Sequence, residues 1–291
     1  MTKRIEAIIF DMGGTLRVSL RVSPAKRLAC VGKIAALIDK DLSTSELAQQ
    51  LSDRYRAYRR WSIRTMVELN EQDQWTQWLL PDFPAELVRC KAQELNQLWR
   101  DATGKRVVFP ETRETVLTLF RRGYRLGMVS NTTSSVEVPR TLDECGISGC
   151  FETVVLSCVE GIRKPDPRIL LEATRRMGVH PDQCAYIGDR PDRDVAAARA
   201  AGFGRAVLLR DPRNYSNPAL KNELVADDTI HNLKKLLEIF PARTRNPKPD
   251  GPLYDVTLST MWARSKFSVL SDFFLAAGRL GFPKIELNHQ V

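Results

Sequence analysis

Apolar positions along this chain fall into short runs and helical stripes that alternate over most of its length. The first run, Ile8-Ile9-Phe10, stops at Asp11 and is followed by Gly13 and Gly14. A short apolar run bounded by turn residues reads as a fully buried strand of a parallel sheet, here Arg4–Phe10. Ser23-Pro24 then opens a helix to about Asp39, with Ser as N-cap and Pro in the first turn. Ser43-x-x-Glu46 is a capping-box pattern for a second helix through Arg60. Further helices are predicted over Thr65–Leu80 and Pro84–Arg100, so residues 17–105 read as all-helical. From 106 the alternation resumes, with strands at Tyr124–Ser130, Thr153–Ser157, Cys184–Gly188 and Arg205–Leu209. Between them lie helices at Pro110–Arg122, at Val136–Cys145, after Lys164-Pro-Asp-Pro up to Gly178, and in an Ala-rich stretch up to Gly202. A last helix is expected at His231–Phe240. Strands alternating with helices mean right-handed βαβ units and a doubly wound parallel sheet of the α/β, Rossmann-like class.

The inserted helices carry Trp61, Trp75, Trp78 and Trp99, best read as bundle core, and an Arg56, Arg60, Arg64 row with the spacing of a solvated helix face. The 291 residues, 43% of them apolar, suffice for one large domain or two moderate ones. No apolar run approaches about 18 residues, which leads us to expect a soluble, cytoplasmic protein with no membrane partner. Six cysteines without C-x-x-C spacing and three scattered histidines argue against a zinc site or a disulfide framework. The formal charge of +9 comes without a basic tract interleaved with aromatics, so no nucleic-acid partner is expected.

The strand ends carry the chemistry. Asp11 with Thr15, Ser130 with Asn131, Lys164 at the mouth of its helix, and Asp189 with Asp194 all fall where open α/β sheets bind ligands. The glycines after Asp11 allow a tight turn whose N–H groups approach an anion. These residues resemble the motifs of the haloacid dehalogenase superfamily of phosphatases and phosphotransferases. The matching stretches are Asp11-Met-Gly-Gly-Thr15, Met-Val-Ser130-Asn131, Arg-Lys164-Pro-Asp-Pro and Ile-Gly-Asp189-Arg-Pro-Asp-Arg-Asp194, in that order, within about residues 4–210.

The resemblance implies a core of residues 1–16 and 106–240, with a helical cap of residues 17–105 between the first and second motifs. It implies a Mg²⁺-dependent phosphatase that acts on a small phosphorylated metabolite through an aspartyl-phosphate on Asp11. Ser130 and Lys164 would hold the transferring oxygens. Gly14, Thr15 and Asn131 would line the phosphate site. Asp11, the Gly13 carbonyl, Asp189 and Asp194 would hold the metal. Oxygen donors of this kind suit Mg²⁺.

One position departs from the pattern. Where the family usually has a second Asp as general acid/base, this chain has Gly13, which cannot shuttle a proton. Such help is typically ~10²–10⁴-fold. Three readings follow: a phosphatase whose proton comes from elsewhere, a phosphonatase-like enzyme with a Schiff-base lysine from the cap (Lys26, Lys33 or Lys40), or a low-turnover phospholigand binder. Dehalogenase chemistry fits least, because both fourth-motif carboxylates are kept.

Residues 241–252 are rich in Pro and charge and read as a linker. Beyond it, a strand at Leu253–Leu258, an amphipathic helix at Ser265–Leu280 and a strand at Lys284–Asn288 form one βαβ pattern over 253–291. This resembles the start of a xylose-isomerase-like sugar isomerase or epimerase barrel, with Glu286, Asn288 and His289 at a strand end. Either these residues begin a second, fused domain, which would make a sugar phosphate the natural substrate, or they dock on the first domain. The oligomeric state is not legible.

Overall fold

The computed structural model describes residues 4–39, 43–214 and 225–243. The C-terminal βαβ pattern lies outside the described residues. Strand β1 (Ala7–Phe10) is the middle of the fold, buried on both faces. Ala7 and Ile9 enter one core with Val129, Ile169, Ala173 and Tyr186, while Ile8 and Phe10 enter the other with Val116, Leu126, Met128 and Ile187. Side chains alternate along a strand, so an uninterrupted apolar run requires cover on both faces.

After β1 comes β2 (Arg17–Leu20), then helices α1 (Pro24–Ile38), α2 (Thr44–Thr65), α3 (Glu71–Gln74, continued by a widened turn at Trp75–Leu79) and α4 (Ala85–Thr103), then β3 (Lys105–Val108). The caps act as predicted: Ser23 accepts from Lys26 N, and Ser43 accepts from Glu46 N. Val31, Ile34, Leu51, Trp75, Leu79, Val88, Leu95 and Trp99 form a separate core among these helices. Arg56, Arg60 and Arg64 are exposed, a solvated face.

The all-helical reading of 17–105 fails at both ends. Strands β2 and β3 pair antiparallel, Arg17 opposite Val108 and Leu20 opposite Lys105, so the helices leave and rejoin the sheet domain through one ribbon. Each strand is four residues long, too short for a visible alternation, and its partner lies far off in sequence. The expected helix over Thr65–Leu80 also divides differently. Helix α2 runs on to Thr65 and ends at Met66 in the left-handed conformation (φ 56°). Val67 then bridges to Ile162, and Asn70 caps the restart through Asp73 N at 2.8 Å.

The rest follows as α5 (Thr112–Arg121), β4 (Arg125–Ser130), α6 (Glu137–Glu144), β5 (Phe151–Leu156), α7 (Ser157–Glu160), α8 (Arg168–Met177), β6 (Cys184–Gly188), a widened turn at Pro191–Val195 leading into α9 (Ala196–Ala200), β7 (Arg205–Leu209), β8 (Asp228–Ile230) and α10 (Leu236–Ile239). The sheet is all parallel in the order β5-β4-β1-β6-β7-β8. Strand β8 was unforeseen: the helix expected at His231–Phe240 is preceded by a three-residue strand beside β7 and reduced to a short turn and α10. Because β1 lies between β4 and β6, the chain reverses its winding there, and a crevice opens above the carboxyl ends of these three strands. Among the described residues no helix is long and apolar enough to cross a membrane.

Candidate active site

The strand order brings the separate motifs together. Asp11 N donates to Ile187 O at 2.8 Å, so the Asp11 loop is anchored to the end of β6. The turn that follows closes tightly: Leu16 N reaches Met12 O at 3.0 Å and Gly14 N reaches Arg17 O at 2.7 Å. Gly14 has φ +87°, and a Cβ there would lie 2.1 Å from Asp189 Oδ2, so this position admits no side chain. Gly13 is the reverse case, with nothing within 4 Å of an added Cβ.

Lys164 is buried beneath the cluster. Its Nζ donates to Asp11 Oδ1 at 2.6 Å and to the Tyr186 hydroxyl at 2.5 Å, and it pairs with Asp194 Oδ1 at 2.8 Å. Asn131 fixes the lysine from the β4 side: its Nδ2 donates to Lys164 O and its Oδ1 accepts from Lys164 N, both at 2.9 Å. Thr15 Oγ1 reaches Asp11 Oδ2 at 3.4 Å. Asp194 is fully buried, and its Oδ2 accepts from Asp189 N at 3.2 Å and from Arg190 N at 3.0 Å, which seats it at the end of β6 rather than on a helix surface.

Asp11, Asp189 and Asp194 converge so that one carboxylate oxygen of each lies within 4.8 Å of the others. Burial, with Asp194 and Asp11 alongside, pushes the Asp189 carboxyl up to about 7, against the pull of Arg193. Burial also opposes ionisation of Asp194, yet Arg193 and Lys164 hold it well below the usual carboxylate range. A hard divalent cation with oxygen ligands fits this donor set.

Two residues of this cluster carried no sequence signal. Arg193 Nη2 reaches Asp194 Oδ2 at 3.0 Å, Asp189 Oδ1 at 3.1 Å and Asp11 Oδ2 at 3.4 Å. It stands inside the fourth motif, but nothing in its spacing shows that it turns inward. Asn214, from beyond β7, donates to Asp189 Oδ2 at 2.8 Å, and no motif pointed to it.

Over the cluster lies a cavity of about 300 Å³, lined by Gly13, Gly14, Ser130, Asn131, Asp189 and Arg193. The same cavity is also lined by Arg17, Arg100 and Arg106, which surround Glu137.

A family model described as haloacid dehalogenase-like hydrolase matches residues 5–202. The chain belongs to this family of hydrolases. A glyceraldehyde 3-phosphate phosphatase of Methanopyrus kandleri is 29% identical over 236 residues, covering 81% of this chain and 97% of that protein. A phosphoglycolate phosphatase of Nitrosococcus oceani is 38% identical over 107 residues, 36% of this chain and 47% of that one. Among solved structures, a 2-haloacid dehalogenase from Pseudomonas syringae pv. Tomato shares the fold with a TM-score of 0.56 at 24% identity, covering 81% of this chain and 97% of that one.

Proposed function

We propose that this hydrolase is a Mg²⁺-dependent phosphatase that cleaves a small, soluble phosphate monoester through an aspartyl-phosphate on Asp11. The observation that carries the reading is the convergence of Asp11, Asp189 and Asp194 with Lys164 beneath the cavity that Ser130 lines. The two relatives named above are both described as phosphatases of small phosphorylated metabolites, which supports the same reading. Displacement at carbon needs no cation beside the nucleophile. Three converging carboxylates therefore favour phosphorus over halide chemistry.

Asp11 Oδ1 is tied to Lys164 at 2.6 Å, whereas the contacts to Oδ2 are loose, at 3.4 Å. Oδ2 is then the oxygen that attacks phosphorus, and Arg193 must turn away to expose it. Asp11, Asp189 and Asp194, with the Gly13 carbonyl, would hold Mg²⁺, which when bound offsets the repulsion between carboxylate and phosphate. Lys164 orients Asp11, and Asn131 holds the loop that presents the lysine. Ser130 and the Gly13 N–H would face the transferring oxygens. Helices α1–α4 act as the cap of a core made by residues 1–16 and 106–240, choosing the leaving group and excluding water.

A second reading, a phospholigand binder with little turnover, draws on two observations: Gly13 offers no proton donor, and Arg193 covers Asp11. Phosphate release from a panel of esters with Mg²⁺ separates the two. We expect wild type to turn over and Asp11→Asn to lose on the order of 10⁴-fold or more in kcat. Gly13→Asp, for which the backbone leaves room, should gain up to ~10²-fold on poor leaving groups. An inert wild type that Gly13→Asp awakens makes the protein a binder. Inertness of all three chains removes Asp11 as the nucleophile.

A further inference from the structure

We infer that Arg17, Arg100 and Arg106, which line the same cavity as Gly13 and Ser130, form a second anion-binding subsite, so that the substrate is a phosphate monoester whose leaving group carries its own negative charge. The inference rests on the phosphatase reading above and narrows its substrate.

Three guanidiniums surround a single carboxylate: Arg17 Nη2 donates to Glu137 Oε2 at 2.7 Å, Arg100 Nη2 pairs with the same oxygen, and Arg106 Nε lies 3.3 Å from Oε1. Their side chains are only 6%, 13% and 20% exposed, so water cannot dilute the excess. A pin that merely fastened the helices to the core would balance its charges, because unpaired buried charge is costly. Here the cations outnumber the carboxylate, and Glu144, at the end of α6, faces Arg140 at 3.8 Å. Arg100 Nε is buried with no hydrogen-bond partner among the described residues, a donor still to be filled. Burial, with Arg100 and Arg17 nearby, brings the Arg106 guanidinium down to about 10 despite Glu137. All three arginines face the same cavity as Gly13, Ser130 and Asp189. At about 300 Å³ that cavity suits a phosphoryl group with a short leaving group. Planar guanidinium forks match a carboxylate or a second phosphate equally well.

The test uses three esters on one two-carbon frame with the full chain and Mg²⁺: 2-hydroxyethyl phosphate, phosphoglycolate and ethylene glycol bisphosphate. Wild type should favour at least one charged member over 2-hydroxyethyl phosphate by about tenfold or more in kcat/KM, and which one separates a carboxylate from a phosphate ligand. Arg106→Gln should collapse that ratio and Arg106→Lys should restore part of it. Because the readout is a ratio, a general loss of activity cancels. Equal use of the three esters by wild type, or an unchanged ratio in Arg106→Gln, overturns the subsite. If wild type cleaves none of them, calorimetric binding of the same three esters judges the subsite apart from the phosphatase reading, which the wider panel decides. Tighter binding of a charged member by wild type, lost in Arg106→Gln, then supports it, and equal binding overturns it.

Discussion

Glu137 is one carboxylate among three guanidiniums, and its ionisation helps hold the ribbon, α4 and α6 together. Burial disfavours the charge, but Arg100, Arg17 and Arg106 prevail and bring the carboxyl down from 4.5 to about 2. A carboxyl depressed in the folded state contributes stability that is present above about pH 4.5 and is lost as pH falls towards 2. We expect wild type to exceed Glu137→Gln by up to roughly 3 kcal/mol near neutrality. The gap between their melting temperatures should close as pH falls from 4.5 to 2. A gap independent of pH would assign the role of Glu137 to packing. Arg193 invites a different measurement. Around the metal-donor oxygens, the three carboxyls of Asp11, Asp189 and Asp194 face the two cationic side chains of Lys164 and Arg193. Since Arg193 contacts the same carboxylates that would hold Mg²⁺, Arg193→Gln should bind Mg²⁺ more tightly, by about tenfold. The metal-free variant should also melt lower than metal-free wild type. Calorimetry reads the first effect and a thermal scan in chelator the second. At this scale Asp11, Lys164, Asp189 and Asp194 were legible because each follows a strand or opens a helix. Arg193, Asn214 and Glu137 were not, because the direction a side chain takes depends on what the fold packs against it.

Among the elements, the helix starts were readable because caps are local. A serine three residues before an N–H either accepts from it or does not, as Ser23 and Ser43 do here. The end of α2 was not readable, because a tertiary contact decides it. Glu68, just past the left-handed Met66, is drawn into a buried network. Tyr58 OH donates to its Oε1 at 2.6 Å, Ser157 Oγ donates to its Oε2 at 3.2 Å, and Arg163 Nη1 lies 3.4 Å from Oε2. Arg163 adjoins Lys164, so this network couples the end of α2 to the loop that presents the lysine. Glu68→Gln leaves Arg163 buried and unpaired and should cost about 3–5 kcal/mol of stability. It should also lower kcat more than it raises KM, because the lysine is displaced while the cavity wall is kept. Denaturant unfolding and steady-state kinetics check the two halves, and an unchanged kcat would confine the network to stability.

Across the whole molecule, the alternation of strands and helices after residue 106 was enough for a parallel α/β sheet, and the apolar run of β1 was enough to make it central. Local periodicity carries that information, since a strand buried on both faces must be apolar throughout. The pairing of β2 with β3 and the addition of β8 could not be read, because strands of three or four residues show no period and their partners are remote. The site divides in the same way. The sequence by itself determined which chemical groups stand at the strand ends. Only the tertiary structure decided that Lys164 meets Asp11 across 153 residues, that Arg17 meets Glu137 across 120, and that Arg193 turns in towards the carboxylates. Propensity and capping act within a few residues of backbone, whereas burial and charge are settled by neighbours that only the folded chain assembles.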